Sequence, residues 1–356
     1  MCWRRRRIDR AARWTCGPVG RSTLVSLALA TAACTPFAND LPPQPAVLSF
    51  ECDADVESAE AGPAESCSAS SFGPAVPVQI DGVTNAGATG FGGLRLSPDY
   101  LTGYFYAAGL PASAYDFLYS ATRCAPPSIC CSLTRPFGSL TPLLSAVVNP
   151  VGVLLTDPTV SGDGVTLVFA YAQSSTPGSQ VHLWSATRQP PYPFSDVGPL
   201  ASANSSSALH DESPFLIEDG GVLYFASDRN PDMGTDLYRA TFDDDGGGTN
   251  DPTPVTELNT AYDEVAPVVT PDDLTIYYAS NREDTANGNP TGELHIWVAT
   301  RNPGDVQFQQ PANVSELNSS SADSPTFVTR DGCTLYFSST RSGILTMYVA
   351  TKSAGP

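Results

Sequence analysis

Five stretches of this chain repeat one another, and that limits the fold more than any other feature of the sequence. They are Ser97-Pro-Asp-Tyr-Leu-Thr-Gly-Tyr-Phe105, Ser161-Gly-Asp-Gly-Val-Thr-Leu-Val-Phe169, Ile217-Glu-Asp-Gly-Gly-Val-Leu-Tyr-Phe225, Thr270-Pro-Asp-Asp-Leu-Thr-Ile-Tyr-Tyr278 and Thr329-Arg-Asp-Gly-Cys-Thr-Leu-Tyr-Phe337. In each copy an Asp (99, 163, 219, 272, 331) precedes a large aromatic (105, 169, 225, 278, 337) by six residues. The Asp side chain can bond nearby amides and tolerates a left-handed turn, so each copy reads as a hairpin. Each then runs into a third strand ending in Ala-Thr, at Thr122, Thr187, Thr241, Thr300 and Thr351, and most add a fourth, such as Val306-Gln-Phe-Gln.

A single four-stranded sheet has two faces to cover and cannot cover both alone. Sheets repeated at intervals of 53 to 64 residues must therefore stack radially, as an all-β propeller. The motif resembles the TolB-type, WD40-like propeller repeat, with Ser227-Asp228-Arg229, Ser280-Asn281-Arg282 and Ser339-Thr340-Arg341 following the hairpin; the first two copies lack the Arg. The last copy stops after its third strand. The run from Ala75 to Ile80 supplies the missing outer strand and closes the ring, hiding an edge. Five blades over residues 72–356 follow. The six-bladed ring typical of TolB is the alternative, and it would require a further blade within 35–95.

An Arg-rich start and an apolar stretch from Thr23 to Ala33 have the layout of a signal peptide, 1–33. The eleven residues of that stretch rise about 16 Å as a helix, too little to span a bilayer. Ala32-Ala33-Cys34 resembles a bacterial lipobox, which implies lipid attachment at Cys34 and makes the lipid the one membrane contact. Residues 34–71, rich in Pro, Ala, Ser and Glu, read as a disordered tether. An oxidising compartment favours disulfides among the six cysteines left, with Cys52–Cys67 and Cys124 with Cys130 or Cys131 as local options. A zinc site at Cys124, Cys130 and Cys131 is the rival reading of those three.

The formal charge is −19, and seven of the 18 basic groups fall within the first 21 residues, so the body is more acidic still. Such a surface repels phosphate, which argues against nucleic acid as a partner. The loops joining second and third strands vary most in length, and variation on a rigid scaffold is where binding usually resides. Acids recur at the same end: Asp157, Asp211, Asp263 and Asp323. They read either as a ring that binds a cation or basic group, or as structural partners of Arg229, Arg282 and Arg341. Repetition in nearly every copy favours the structural role. His182 and His295 share one register with Asp236 and Thr346, as sheet-face residues. Asp243–Asp251 clusters oxygens beside glycines and admits Ca²⁺, without the spacing of an EF-hand. No other cofactor is implied.

Gly-x-Ser-x-Gly, His-Glu-x-x-His and P-loop motifs are missing. The expectation is a monomeric, non-catalytic binding propeller of a cell-envelope lipoprotein that engages a protein or glycan through one loop face. The enzyme alternative is a furanosidase-like glycoside hydrolase acting through carboxylates at the channel mouth, where two would have to lie roughly 5–9.5 Å apart.

Overall fold

The computed structural model describes residues 67, 71–80, 90–108, 118–123, 136–138, 140–144, 153–174, 178–189, 192–218, 221–242, 250–283 and 292–352. The signal segment, Cys34, Cys52, Cys124, Cys130, Cys131 and residues 243–249 of the acidic loop lie outside them.

Every element among the described residues is a strand, and all five sheets are antiparallel and four-stranded. Blade one is β2 (Gly90–Leu96), β3 (Thr102–Ala108), β4 (Leu118–Thr122) and β5 (Thr141–Pro142). Blade two is β6 (Leu154–Val160), β7 (Thr166–Ala172), β8 (Val181–Thr187) and β9 (Ser195–Pro199). Blade three is β10 (Asp211–Leu216), β11 (Val222–Ser227), β12 (Asp236–Thr241) and β13 (Thr253–Pro254). Blade four is β14 (Glu264–Val269), β15 (Thr275–Ser280), β16 (His295–Thr300) and β17 (Ala312–Asn313). Blade five is β18 (Asp323–Val328), β19 (Thr334–Ser339) and β20 (Thr346–Thr351), completed by β1 (Val76–Pro77) from the other end of the sequence. Val76 faces Val349 and Pro77 faces Tyr348 in the closing pair. The innermost strands β2, β6, β10, β14 and β18 touch in turn, and β18 touches β2, so the ring closes with five blades and not six.

The repeat is legible in the contacts. Oδ1 of Asp99, Asp163, Asp272 and Asp331 accepts the amide two residues on, which fixes the hairpin turn. The aromatics Phe105, Phe169, Phe225, Tyr278 and Phe337 are wholly buried. They fill apolar clusters that join one blade to the next, where the hydrophobic gain of a propeller resides.

A second joint recurs after the Ala-Thr ending. Arg123, Arg188, Arg301 and Lys352 each lie over a ring in the segment leading into a fourth strand, Phe137, Phe194, Phe308 and Phe72, at 4.3 to 4.9 Å. From there Arg123 donates to the Tyr336 hydroxyl of the preceding blade at 3.2 Å, and Lys352 to that of Tyr277 at 3.3 Å. Between blades two and three the same two positions hold Val168 and Phe242, packed in one apolar cluster. Both halves of the device have changed together.

The local pairing considered for Cys52 and Cys67 is corrected: Cys67 is bonded to Cys333, with Cα atoms 5.4 Å apart. The closing strand accounts for this. Phe72 bridges Lys352, whose amide donates to the Cys333 carbonyl, and that brings the chain at Cys67 onto the last hairpin.

Candidate functional site

Strand pairing ranks the inner strands level by level around the channel. Every one carries a β-bulge at the same place, between Gly92 and Arg95, Thr156 and Thr159, Glu212 and Phe215, Val265 and Val268, and Pro325 and Phe327. Four of the bulges hold a left-handed residue: Gly93, Asp157, Ser213 and Ala266. The fifth has Pro325 there, whose ring forbids that conformation. Counting back from the hairpins then gives true equivalents. Two levels above the bulge stand Phe91, Leu155, Asp211, Glu264 and Asp323; at the bulge stands Asp157.

This separates the predicted acids into three kinds. Asp211, Glu264 and Asp323 are fully buried. Each accepts a serine hydroxyl from the second strand (Ser227, Ser280, Ser339) at about 2.7 Å or is reached by the arginine that bonds that serine. Arg229 meets Asp211 at 2.8 Å, Arg282 meets Glu264 at 3.1 Å and Arg341 meets Asp323 at 2.6 Å. The same guanidiniums donate to the carbonyls of Ala203, Leu258 and Leu317 in the incoming loop, and stack on Tyr238, Trp297 and Tyr348. Their charges and hydrogen bonds are therefore spent inside the fold. Asp263 is not the partner of Arg282, as its place at the head of the recurring acidic run suggested; Glu264 is. The Asp263 carboxylate instead accepts the Thr235 amide at 3.0 Å and the Asn281 side chain at 2.8 Å.

His182 and Asp236 stand where the third strand faces the carboxylate of the next blade. His182 lies 3.4 Å from Asp211. Asp236 is buried, one of its oxygens has no partner, and burial together with the Glu264 charge raises its pKa to about 6.

Asp157 belongs to a different group, with two residues that sequence reading missed. Arg95 rises from blade one, 4% exposed, crosses the channel and donates to the Pro214 carbonyl of blade three at 3.4 Å, its guanidinium 5.0 Å over the Phe215 ring. Nε and Nη1 have no hydrogen-bond partner among the described residues. Burial lowers its pKa to about 10, and Asp157 opposes that shift, so it stays cationic. Burial likewise raises the Asp157 carboxyl, with Arg95 as the countering charge. Glu212, half-buried on blade three, has its pKa raised to about 7, first by burial and then by Asp157. Tyr106 completes the cluster: a Cβ on Gly92 would lie 2.8 Å from its hydroxyl, and one on Gly93 would lie 2.9 Å from its ring and 3.0 Å from Asp157 Oδ1. The paired glycines let the ring and the carboxylate into the wall. The signal for Arg95 and Glu212 was available in the sequence, since each is a charged residue at an inner-strand level where no other copy carries the same charge.

The channel is blind. Beyond Arg95, on the hairpin side, Leu96, Phe215 and Phe327 narrow it to a cavity of about 30 Å³, room for a single water. Arg330 of blade five bridges Glu218 of blade three across that end, and the Arg330 amide donates to the Tyr100 hydroxyl of blade one. At the hairpin rim Gly162 donates to the Glu218 carbonyl, where a Cβ would come within 2.2 Å of that oxygen. The Asp157 and Glu212 carboxyls lie on the other side of Arg95, toward the opposite mouth, where second and third strands are joined.

No protein-family model and no curated protein matches the chain. Among solved structures it is similar to a prolyl endopeptidase (13% identity, TM-score 0.40, 75% of this chain), of which it spans 34%. It is similar to a levansucrase mutant from B. megaterium (11% identity, TM-score 0.45, 76% of this chain and 78% of that one). It is also similar to a TolB-like protein from Agrobacterium tumefaciens (14%, TM-score 0.32, 73% and 90%). Likenesses this distant concern fold alone, and the five-bladed assignment rests on the strand pairing itself.

Proposed function

We propose that the chain is a non-catalytic binding propeller that takes its ligand into the blind channel through the mouth carrying the variable loops. One observation carries this reading. The recurring carboxylates are consumed in holding blades, whereas Arg95, Asp157 and Glu212 do not recur and converge in the channel, where two guanidinium nitrogens of Arg95 have no partner among the described residues. Residues that serve the repeat recur with it; residues that break it are free for a ligand. In this reading the signal segment exports the protein, lipid on Cys34 tethers it to the cell envelope, and the ligand belongs to an envelope protein or glycan met by a single copy of the chain.

Affinity capture from envelope extract tests the site. The wild type should retain a component that the Asp157→Asn/Glu212→Gln double variant loses while its melting profile stays cooperative. Equal capture by both would remove the channel from the reading. Mass spectrometry of the mature N-terminus tests the anchor, and an unmodified end at residue 34 would discard it.

The hydrolase reading keeps one observation in its favour. A carboxyl held near pH 7 beside a second carboxylate is the arrangement of a general acid and its partner. Turnover of aryl arabinosides or xylosides, abolished by Glu212→Gln, would replace the binding reading with this one.

A further inference from the structure

We propose that the channel ligand is an uncharged, hydroxyl-rich group, a neutral sugar residue, held between the Arg95 guanidinium and the Asp157 and Glu212 carboxyls. The inference rests on the channel being the binding site, and goes on to name what it binds.

The argument is one of charge and of hydrogen-bond complement. Arg95 is 4% exposed, and two of its three guanidinium nitrogens have no partner, so the floor offers donors and wants acceptors. Asp157 and Glu212 above it are half-buried and offer carboxylate acceptors, one of them also reached by the Thr156 side chain. A free cation satisfies the carboxylates and meets the fixed positive charge of Arg95 at close range. A free anion satisfies Arg95 and meets Asp157. In a site shielded from water either mismatch is costly. A hydroxyl both donates and accepts, so a sugar ring with several of them can serve floor and walls at once without adding charge. Tyr106, packed on the apolar cluster between blades one and two, stands beside Asp157 at Gly92 and Gly93. The groups farther out on the Glu212 side are already engaged. His210 pairs with Asp228 at 2.9 Å, and Asp263 is bonded to Asn281 and the Thr235 amide. The choice of ligand therefore falls to the inner cluster.

Titration calorimetry on the full mature chain tests this with named probes: arabinotriose, xylotriose, maltotriose and chitotriose as neutral sugars, trigalacturonate as the anion, and an end-blocked Gly-Lys-Gly peptide as the cation. At least one neutral sugar should bind, and Asp157→Asn and Arg95→Gln should each weaken it about tenfold or more. Glu212→Gln, nearer the solvent, and Arg95→Lys, which keeps the charge without the planar fork, serve should Arg95→Gln fail to fold. Binding of the peptide or of trigalacturonate to the wild type more tightly than any neutral sugar would overturn the assignment in favour of a charged ligand. Silence of every neutral sugar on the wild type would also overturn it, while leaving the channel reading to stand on capture by Glu212. A sugar that binds with equal affinity to all these variants would sink the channel reading itself.

Discussion

Blades three to five and blades one and two solve the same packing problem with opposite chemistry. Where the inner strand begins, the later blades bury a carboxylate, a serine and an arginine, as in Asp211, Ser227 and Arg229. At the same three levels blade two has Leu155, Tyr171 and Gln173, and blade one starts with Phe91 and Ala107. Tyr171 stacks on Trp184 at 4.2 Å, where the later blades lay a guanidinium over the equivalent ring. The polar set never survives in part. A buried pair is tolerable only while every member is present, and a well-packed apolar set serves as well. What recurs is thus a unit of three positions, and the internal repeats already contain the experiment that exchanges it.

Breaking the unit gives the largest expected effect. Arg229→Ala leaves Asp211 buried beside a half-exposed His182 and should cost about 3–5 kcal/mol in urea unfolding. Changing all three positions to the blade-two set, Asp211→Leu, Ser227→Tyr and Arg229→Gln, should recover most of that loss. A triple variant as unstable as the single one would break the equivalence of the two solutions. Phe225→Ala and Phe105→Ala provide the yardstick. Both rings are fully buried, one in a polar blade and one in an apolar blade, and each should lose about 3–5 kcal/mol through the cavity left behind.

Blade five differs from both groups because two distant parts of the chain build it. Cys67–Cys333 fastens them across 266 residues of sequence. Replacing both cysteines by serine should cost about 2–4 kcal/mol, read as a lower melting temperature that reducing agent reproduces in the wild type. No change on reduction would mean that β1 and the apolar cluster around Phe72 hold the ring unaided.

How much of this was legible beforehand follows from the bulge. Four of the hairpin Asp residues (Asp219 lies outside the described residues), the aromatic six positions on and the closing strand near Val76 are local patterns, and the structure has them as the sequence implied. The inner-strand acids were read as the first acid of each run leading to a proline, and there the reading slipped. That acid lies one residue before the proline at Asp157, three at Asp211, four at Asp263 and two at Asp323, so the acids do not share one level of the strand. That slip put Asp263 in the place of Glu264, and Asp157 among residues that hold blades. Counting back from the hairpin would have corrected both. Arg95 was hidden for another reason: in Gly-Leu-Arg-Leu it sits on an otherwise buried strand, and only the ring, which sets blade one opposite blade three, shows where it reaches. The Cys67 pairing likewise depends on ring closure, which joins residues that no local spacing relates.

The joint between blades three and four sharpens the comparison through pH. It faces Asp236 toward Glu264, while the joint between two and three faces His182 toward Asp211. The folded-state pKa of Asp236, raised to about 6, exceeds its unfolded value of 3.8, so the folded chain holds the extra proton between those limits. This group's contribution is therefore favourable at low pH and is lost as pH rises from about 4 to about 6. Asp236→Asn should flatten that part of the stability curve and leave the variant more stable than the wild type at pH 7, by on the order of 1–2 kcal/mol. Parallel curves for the two proteins would show that Asp236 ionises without hindrance.

The smallest effect is expected at the sealed end of the channel, and it bears on what does the sealing. Arg330 and Glu218 join across that end, but the arginine side chain is 46% exposed. Solvent screens such a pair, so Arg330→Ala should change stability by about 0.2–1 kcal/mol at most. The closure beneath it is apolar, from Leu96, Phe215 and Phe327, and does not depend on the bridge. Ligand binding at the open mouth should accordingly be untouched by Arg330→Ala. A loss of binding in this variant would mean that the two ends of the channel communicate through Arg95, whose guanidinium lies between the sealed cavity and the carboxylates above it.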